Sequence, residues 1–322
     1  MRWALLLLLA AAARAEGLTY LGLNEQGAEE WYREIDGAVV IRVPGGEFLR
    51  RPYEGKIAVE EPKPFPVKSF FIDKTEVTNE QFARFLSQVA DPKGLVDPTV
   101  EGLVRDGETW RAAPGRERYP VTAATGQGVL AFAKWVKGRI PEAAEWEKAA
   151  GGVDGKLYPW GDEKPTAAHA NFGLPKPRGL EPVGSHALGA SPYGCLDMAG
   201  NAYDRVLPRR GDPHLDRCVM LKGGSWLSPH PLNLRVLDLC MQPMEVADGS
   251  VGFRCAVDDP EPDREPKKPE VKATLKLAKS WDLAVKEARE RRVPIFLSLQ
   301  HDTCGQCDRM RAQLFTDPRF VA

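Results

Sequence analysis

The chain has 322 residues, 43% hydrophobic and 28% charged, which excludes a disordered polymer and leaves room for more than one domain. Lysine plus arginine (44) nearly balances aspartate plus glutamate (45), for a formal charge of −1. No long-range field therefore draws nucleic acid or an anionic lipid surface.

In chain order, Met1-Arg2 gives a positive start, Trp3 to Ala13 is unbroken apolar sequence, and Ala13-Arg14-Ala15 supplies the small residues of a cleavage site. Residues 1–15 are predicted to be a signal peptide, with export to the periplasm or medium. The apolar run is shorter than the roughly 20 residues of a membrane span, and no later run reaches that length. Residues 16–37 read as an N-terminal extension and 38–258 as the main body.

Within the body, Ala38 to Val43 reads as a strand entering the Pro44-Gly45-Gly46 turn, and Val67 to Asp73 as another. Thr78 and Gln81 form a capping box for a helix with Phe82, Phe85, Leu86 and Val89 on one face. A second helix is predicted over 129–137 and stops at Gly138. A third has Pro141 in its first turn and runs to Ala150. After Gly152 turn residues dominate. The 30 glycines, 27 prolines and 8 tryptophans of the chain suit an α+β fold with little regular structure, held by aromatic anchors.

Residues 259–270 are proline-rich and charged, lack apolar side chains, and read as a stiff linker that buries nothing. Beyond it, in 271–322, Ser280 to Arg291 is an amphipathic helix and Pro294 to Leu299 a buried strand. Cys304-Gly305-Gln306-Cys307 then opens a further helix. In an oxidising compartment Cys195, Cys218, Cys240 and Cys255 are free to pair, with three connectivities open.

The body's motifs follow one order: Val43-Pro44-Gly45-Gly46-Glu47-Phe48, then residues Phe71 to Phe82, Gly138 to Glu147 and Tyr158-Pro159-Trp160-Gly161. Gly194 to Asn201, Lys222-Gly223-Gly224-Ser225-Trp226 and Gly252-Phe253-Arg254-Cys255-Ala256 complete it. This series resembles the formylglycine-generating enzyme (sulfatase-modifying factor) family over about residues 38 to 257. The resemblance implies a C-type-lectin-like fold. The C-terminal order of helix, strand and C-x-x-C resembles the first half of a thioredoxin-like domain. The chain stops at Ala322 before the strands and cis-proline loop that such a domain implies, so a fragment or a remnant is expected.

The resemblance also implies an oxidase that holds copper between two cysteines and converts a cysteine of a target peptide to formylglycine. Those positions are Ser228 and Asn233 here, flanked by Pro229 and Pro231. Neither supplies the thiolate that selects Cu(I), so copper is not expected. A related branch uses a three-histidine iron site, but His169, His186, His214, His230 and His301 are scattered without helical spacing. By the same resemblance a structural Ca²⁺ would take Asp197, the Gly200 and Ala202 carbonyls, and Asp204, where the family has glutamate. The bland alternative is a solvated Asp and a turn cap. A second calcium site would begin at Asn171 and Phe172, with a shortened loop from Gly173 to Pro182.

At a helix start, Cys304 would be the low-pKa nucleophile and Cys307 the resolving thiol. Zinc binding and an inert disulfide are the rivals. The expected function is an exported binding or scaffolding module for a protein or peptide ligand. The alternatives are a thiol–disulfide oxidoreductase using Cys304 and Cys307, or a modifying oxidase with a rebuilt metal site.

Overall fold

The computed structural model describes residues 14–15, 17–50, 61–173, 179–208, 218–262 and 264. The chain divides into two units, 1–268 and 269–322, and every described residue belongs to the first. Most of the predicted signal peptide, the unit 271–322 with Cys304 and Cys307, the Cys218 side chain, and His214 and His301 lie outside the described residues.

A six-stranded antiparallel sheet runs in the order Arg14–Ala15, Leu18–Leu23, Glu29–Arg33, Ala38–Val43, Phe70–Asp73, Ala256–Asp258. The strand Ala38–Val43 has the expected bounds, and all its residues but Val39 are buried, as its β-branched run requires. Residues 18–33 extend this sheet instead of standing outside it. Two of their charges are internal: Arg33 pairs with Asp36 at 2.6 Å and Asp73 at 2.7 Å, and Glu29 with Arg264 at 2.8 Å.

The predicted strand over 67–73 is two strands. Lys63–Val67 pairs with Gly46–Arg50 as a hairpin, while Phe70–Asp73 joins the large sheet. Between them the Ser69 hydroxyl turns away to bond Asp259 (2.8 Å) and the Pro262 carbonyl (3.0 Å). That contact also corrects the linker reading. Asp259 is buried and takes Arg42 Nε at 2.7 Å, so charge pairing fastens the first residues of the linker to the body.

Helix α1 (Asn79–Leu86) carries the expected box: Gln81 N–H donates to Thr78 Oγ1 (3.3 Å) and Thr78 N–H to Gln81 Oε1 (2.9 Å). Helix α2 (Gly126–Trp135) starts earlier than expected, capped by Thr125. Its first turn needs Gly126 and Gly128 because the Met244 and Leu95 carbonyls press against them. Phe82 and Phe85 of α1, Phe132 of α2 and Phe253 form the centre of one core cluster.

Helix α3 (Ala143–Gly151) is buried on every side. Pro141 precedes it rather than entering its first turn, and the Glu145 carboxylate accepts the Glu142 N–H at 2.8 Å. Trp146 of α3 anchors a second core cluster. The remaining half is a four-stranded sheet in the order Cys240–Pro243, Cys218–Lys222, Tyr203–Val206, Val251–Gly252, set among long loops. No helix among the described residues is long and apolar enough to cross a membrane.

The disulfide expectation fails for the described thiols: Cys195, Cys240 and Cys255 are free. Cys255 packs in the cluster around Phe132 and Cys195 in the cluster around Trp146, while Cys240 is exposed on an edge strand.

Candidate functional site

The short strand Tyr203–Val206 serves two places at once, because consecutive side chains leave opposite faces of a strand. Tyr203 reaches the corner where copper ligands were sought, and Asp204 enters the region proposed for calcium.

At the corner, two glycines with positive φ, Gly223 (+86°) and Gly224 (+75°), turn the chain sharply. A methyl on Gly224 would lie 2.8 Å from the Asn233 carbonyl oxygen and 3.1 Å from Ser228 Oγ. The fold therefore brings residues 228 and 233 together, as the resemblance implies. Their chemistry is different. Buried Ser228 Oγ accepts the Ser225 N–H at 2.9 Å and lies 3.3 Å from the Tyr203 hydroxyl. The Asn233 amide donates to Asp238 Oδ2 at 3.2 Å. Pro231 begins a short 3₁₀ turn, Pro231–Leu234, that holds Asn233 in place.

A hydroxyl closed into its own network and an amide do not fit Cu(I), which takes soft thiolate. Cys240 interacts electrostatically with Tyr203, but partial desolvation of this surface thiol and the carboxylates of Asp238 and Asp248 raise its pKa and disfavour the thiolate. Burial pushes Cys195 up to about 11. Burial raises Cys255 well above the usual range.

On the other face, Asp204 Oδ2 takes Trp146 Nε1 of α3 at 2.8 Å and Arg254 Nε at 2.6 Å, while Oδ1 is buried without a donor. Asp197 sits at φ +54°, and its Oδ2 accepts the Gly184 N–H at 2.6 Å. The charge of Asp197 also acts on Glu76, a residue that sequence reasoning assigned only to the fold. Burial pushes the carboxyls of Glu76, Asp197 and Asp204 above the usual range, and the charge of Asp197 adds to the rise at Glu76. The orphaned Asp204 oxygen and an all-oxygen donor set fit a hard cation. The charge of Asp197 is felt at Asp204, and both are felt at Glu76, so the three carboxyls are neighbours. Among the described residues no three or more Asp, Glu, His or Cys side chains converge to hold a metal.

Other predicted residues are engaged elsewhere. His169 stacks on Trp160 with centroids 4.8 Å apart, His186 pairs with Glu181 at 2.7 Å, and His230 is exposed. Asn171 gives its amide to the Gly179 carbonyl (2.8 Å) and Asn201 (3.2 Å), and its Oδ1 is buried without a donor. Residues 174–178 of the second calcium loop lie outside the described residues. Glu76 and Arg254 are buried ionisable residues of this region that the sequence hid. The one available signal was an ionisable side chain inside an otherwise apolar motif, as in Gly252-Phe253-Arg254-Cys255-Ala256.

Residues 28–259 match the family described as the sulfatase-modifying factor enzyme 1-like domain, and residues 276–322 match a thioredoxin-like family. A Chlamydia caviae protein named serine/threonine-protein kinase pkn1 is 36% identical over 241 residues, covering 67% of this chain. The chain spans 37% of that relative's length. A formylglycine-generating enzyme from Thermomonospora curvata is 27% identical, with 68% of this chain and 93% of that protein covered. The crystal structure of CarF superposes with a TM-score of 0.54 at 19% identity, covering 68% of this chain and 98% of that one, a likeness of fold alone.

Proposed function

The chain belongs to the sulfatase-modifying factor enzyme family, and from that premise we propose that it is an exported binding or scaffolding module without copper oxidase activity. The observation that carries this reading is Ser228: a buried hydroxyl, bonded to Ser225 and Tyr203, stands where the oxidase reading needs a thiolate. Leu227 and Leu232, 46% and 54% exposed, flank the corner and suit an apolar segment of a protein or peptide ligand. Residues 1–15 support export.

The test is competition for Cu(I) against a chromogenic chelator. It uses Cys304→Ser/Cys307→Ser, because the dithiol would itself hold copper. The expected result is no retained Cu(I); one equivalent retained by the double variant would overturn the reading. In the same reading Asp197, Asp204 and the Gly200 and Ala202 carbonyls would hold Ca²⁺, which would supply charge compensation to a buried acidic turn.

The match of residues 276–322 to a thioredoxin-like family favours a second reading, thiol–disulfide exchange through Cys304 and Cys307. A cysteine at a helix start should have a pKa between roughly 3.5 and 7.5 instead of about 8.5. Iodoacetamide labelling of Cys304 across pH is expected to show that depression, and an unshifted thiol would remove this reading.

A further inference from the structure

We propose that the cavity between Tyr32 and helix α1 is a second binding site, which takes carboxylate side chains from an acidic peptide segment of a protein partner. None of its lining residues belongs to the corner at Ser228 and Asn233, so this inference goes beyond the corner reading and can fail without it.

The site follows from two periodicities. On the strand Glu29–Arg33, Trp31 and Arg33 turn inward, so Tyr32 stands on the outer face, 40% exposed, opposite Val39 of the next strand. On α1, Phe82, Phe85 and Leu86 enter the core, which leaves Glu80 and Arg84 exposed one turn apart. These residues line one cavity of about 570 Å³, within the range of ordinary ligand sites. Arg118 joins the wall from the turn before Pro120. Its carbonyl accepts the Val183 N–H at 2.8 Å, and its Nη2 reaches the Val183 carbonyl at 3.5 Å.

Gly37 marks where polar groups meet. A methyl placed on it would lie 3.5 Å from the Tyr32 hydroxyl and 3.6 Å from Arg84 Nη1. The phenol and the guanidinium thus face one small gap that glycine keeps open.

The charges of the wall are unevenly answered. Asp36 and Asp73 are buried on Arg33, and Lys74 is held by Glu30 at 2.6 Å. Buried Glu76 takes the Asn201 amide. Among the described residues, neither Arg84 nor Arg118 has a carboxylate partner, and the Tyr32 hydroxyl has no hydrogen bond. Glu80 is the exposed carboxylate of the wall. Two guanidinium forks and a phenolic O–H are donors that suit carboxylate oxygens. Because the forks come from separate segments, more than one carboxylate is needed to engage both, as an acidic peptide supplies.

The test follows the fluorescence anisotropy of a dye-labelled tetraglutamate peptide on the full chain, with tetraglutamine as the control. Tetraglutamate is expected to bind at least about tenfold more tightly than tetraglutamine, and to weaken as salt rises. Arg84→Gln and Arg118→Gln should each weaken it about tenfold, as charge-assisted hydrogen bonds are lost, and Tyr32→Phe by a smaller factor. Glu80→Gln should bind it more tightly, because a like charge leaves the wall; a merely structural role gives no such gain. All four residues are exposed, so the variants should melt with wild type. Equal binding of the two peptides, or unchanged affinity in both arginine variants, would overturn the proposal. Free succinate binding as tightly as tetraglutamate would identify a small dicarboxylate and overturn the peptide assignment. Leu227→Ser/Leu232→Ser should bind tetraglutamate as wild type does; a loss there matching the arginine variants would move the contact to the corner and overturn the proposal.

Discussion

Arg254→Met is expected to destabilise the domain by about 3–5 kcal/mol, read from urea unfolding, with failure to fold as the extreme. Arg254 is fully buried and its guanidinium makes five hydrogen bonds, one to Asp204 and four to carbonyls of two separate chain segments. Methionine fills similar volume, so the loss measures charge and hydrogen bonding more than packing. It strands the Asp204 carboxylate beside those of Glu76 and Asp197, and it leaves carbonyls at 73, 74, 196 and 197 without their donor. Arg254→Lys keeps the charge but not the planar fork, and should fall between the two. A methionine variant within about 1 kcal/mol of wild type would mean that the carboxylates are neutralised by other means.

Gly200→Ala is expected to cost about 2–5 kcal/mol, from a left-handed backbone and an overpacked contact together. Gly200 has φ +82°, and an added methyl would collide with the Asn171 carbonyl oxygen while lying 3.2 Å from Ala170 Cβ. The obstacle is backbone, which cannot rotate aside as a side chain can. The loop is also fixed by the Gly200 N–H to the Gly223 carbonyl (2.8 Å) and the Asn201 N–H to the Asn171 carbonyl (2.7 Å). Gly27 is the control. It has φ +79° with nothing within 4 Å, so its alanine variant should show only the backbone cost of about 1–2 kcal/mol. Equal effects at the two glycines would contradict the packing argument.

The parts of this fold that are legible in the sequence are those written in apolar periodicity and capping. Ala38–Val43 and the Thr78–Gln81 box follow from a β-branched run and a hydroxyl three residues before glutamine. What stayed hidden was buried charge. Glu29, Arg33, Arg42 and Asp259 look like surface to any hydropathy reading, yet they fasten the N-terminal strands and the start of the linker to the sheet. Glycine hid the beginning of α2, because Gly126 and Gly128 are there for close approach and not for helix propensity.

The same division holds at the site. Positions 228 and 233 come from the family resemblance, and the serine and asparagine there speak for their own chemistry. Glu76 and Arg254 lie far apart in sequence and meet Asp197 and Asp204 only through tertiary packing. The cysteines misled for a related reason. Compartment bears on whether thiols oxidise, but Cys195 and Cys255 went into separate cores where each behaves as a small apolar side chain.

The most direct measurement is mass spectrometry of a sulfatase-type cysteine peptide after incubation with the purified chain, copper and oxygen. With Ser228 and Asn233 at the corner, the cysteine is expected to emerge unmodified. Conversion of that cysteine to formylglycine, dependent on the chain and abolished by disrupting Tyr203 and Ser228, would show an oxidase at work and contradict the binding-module reading.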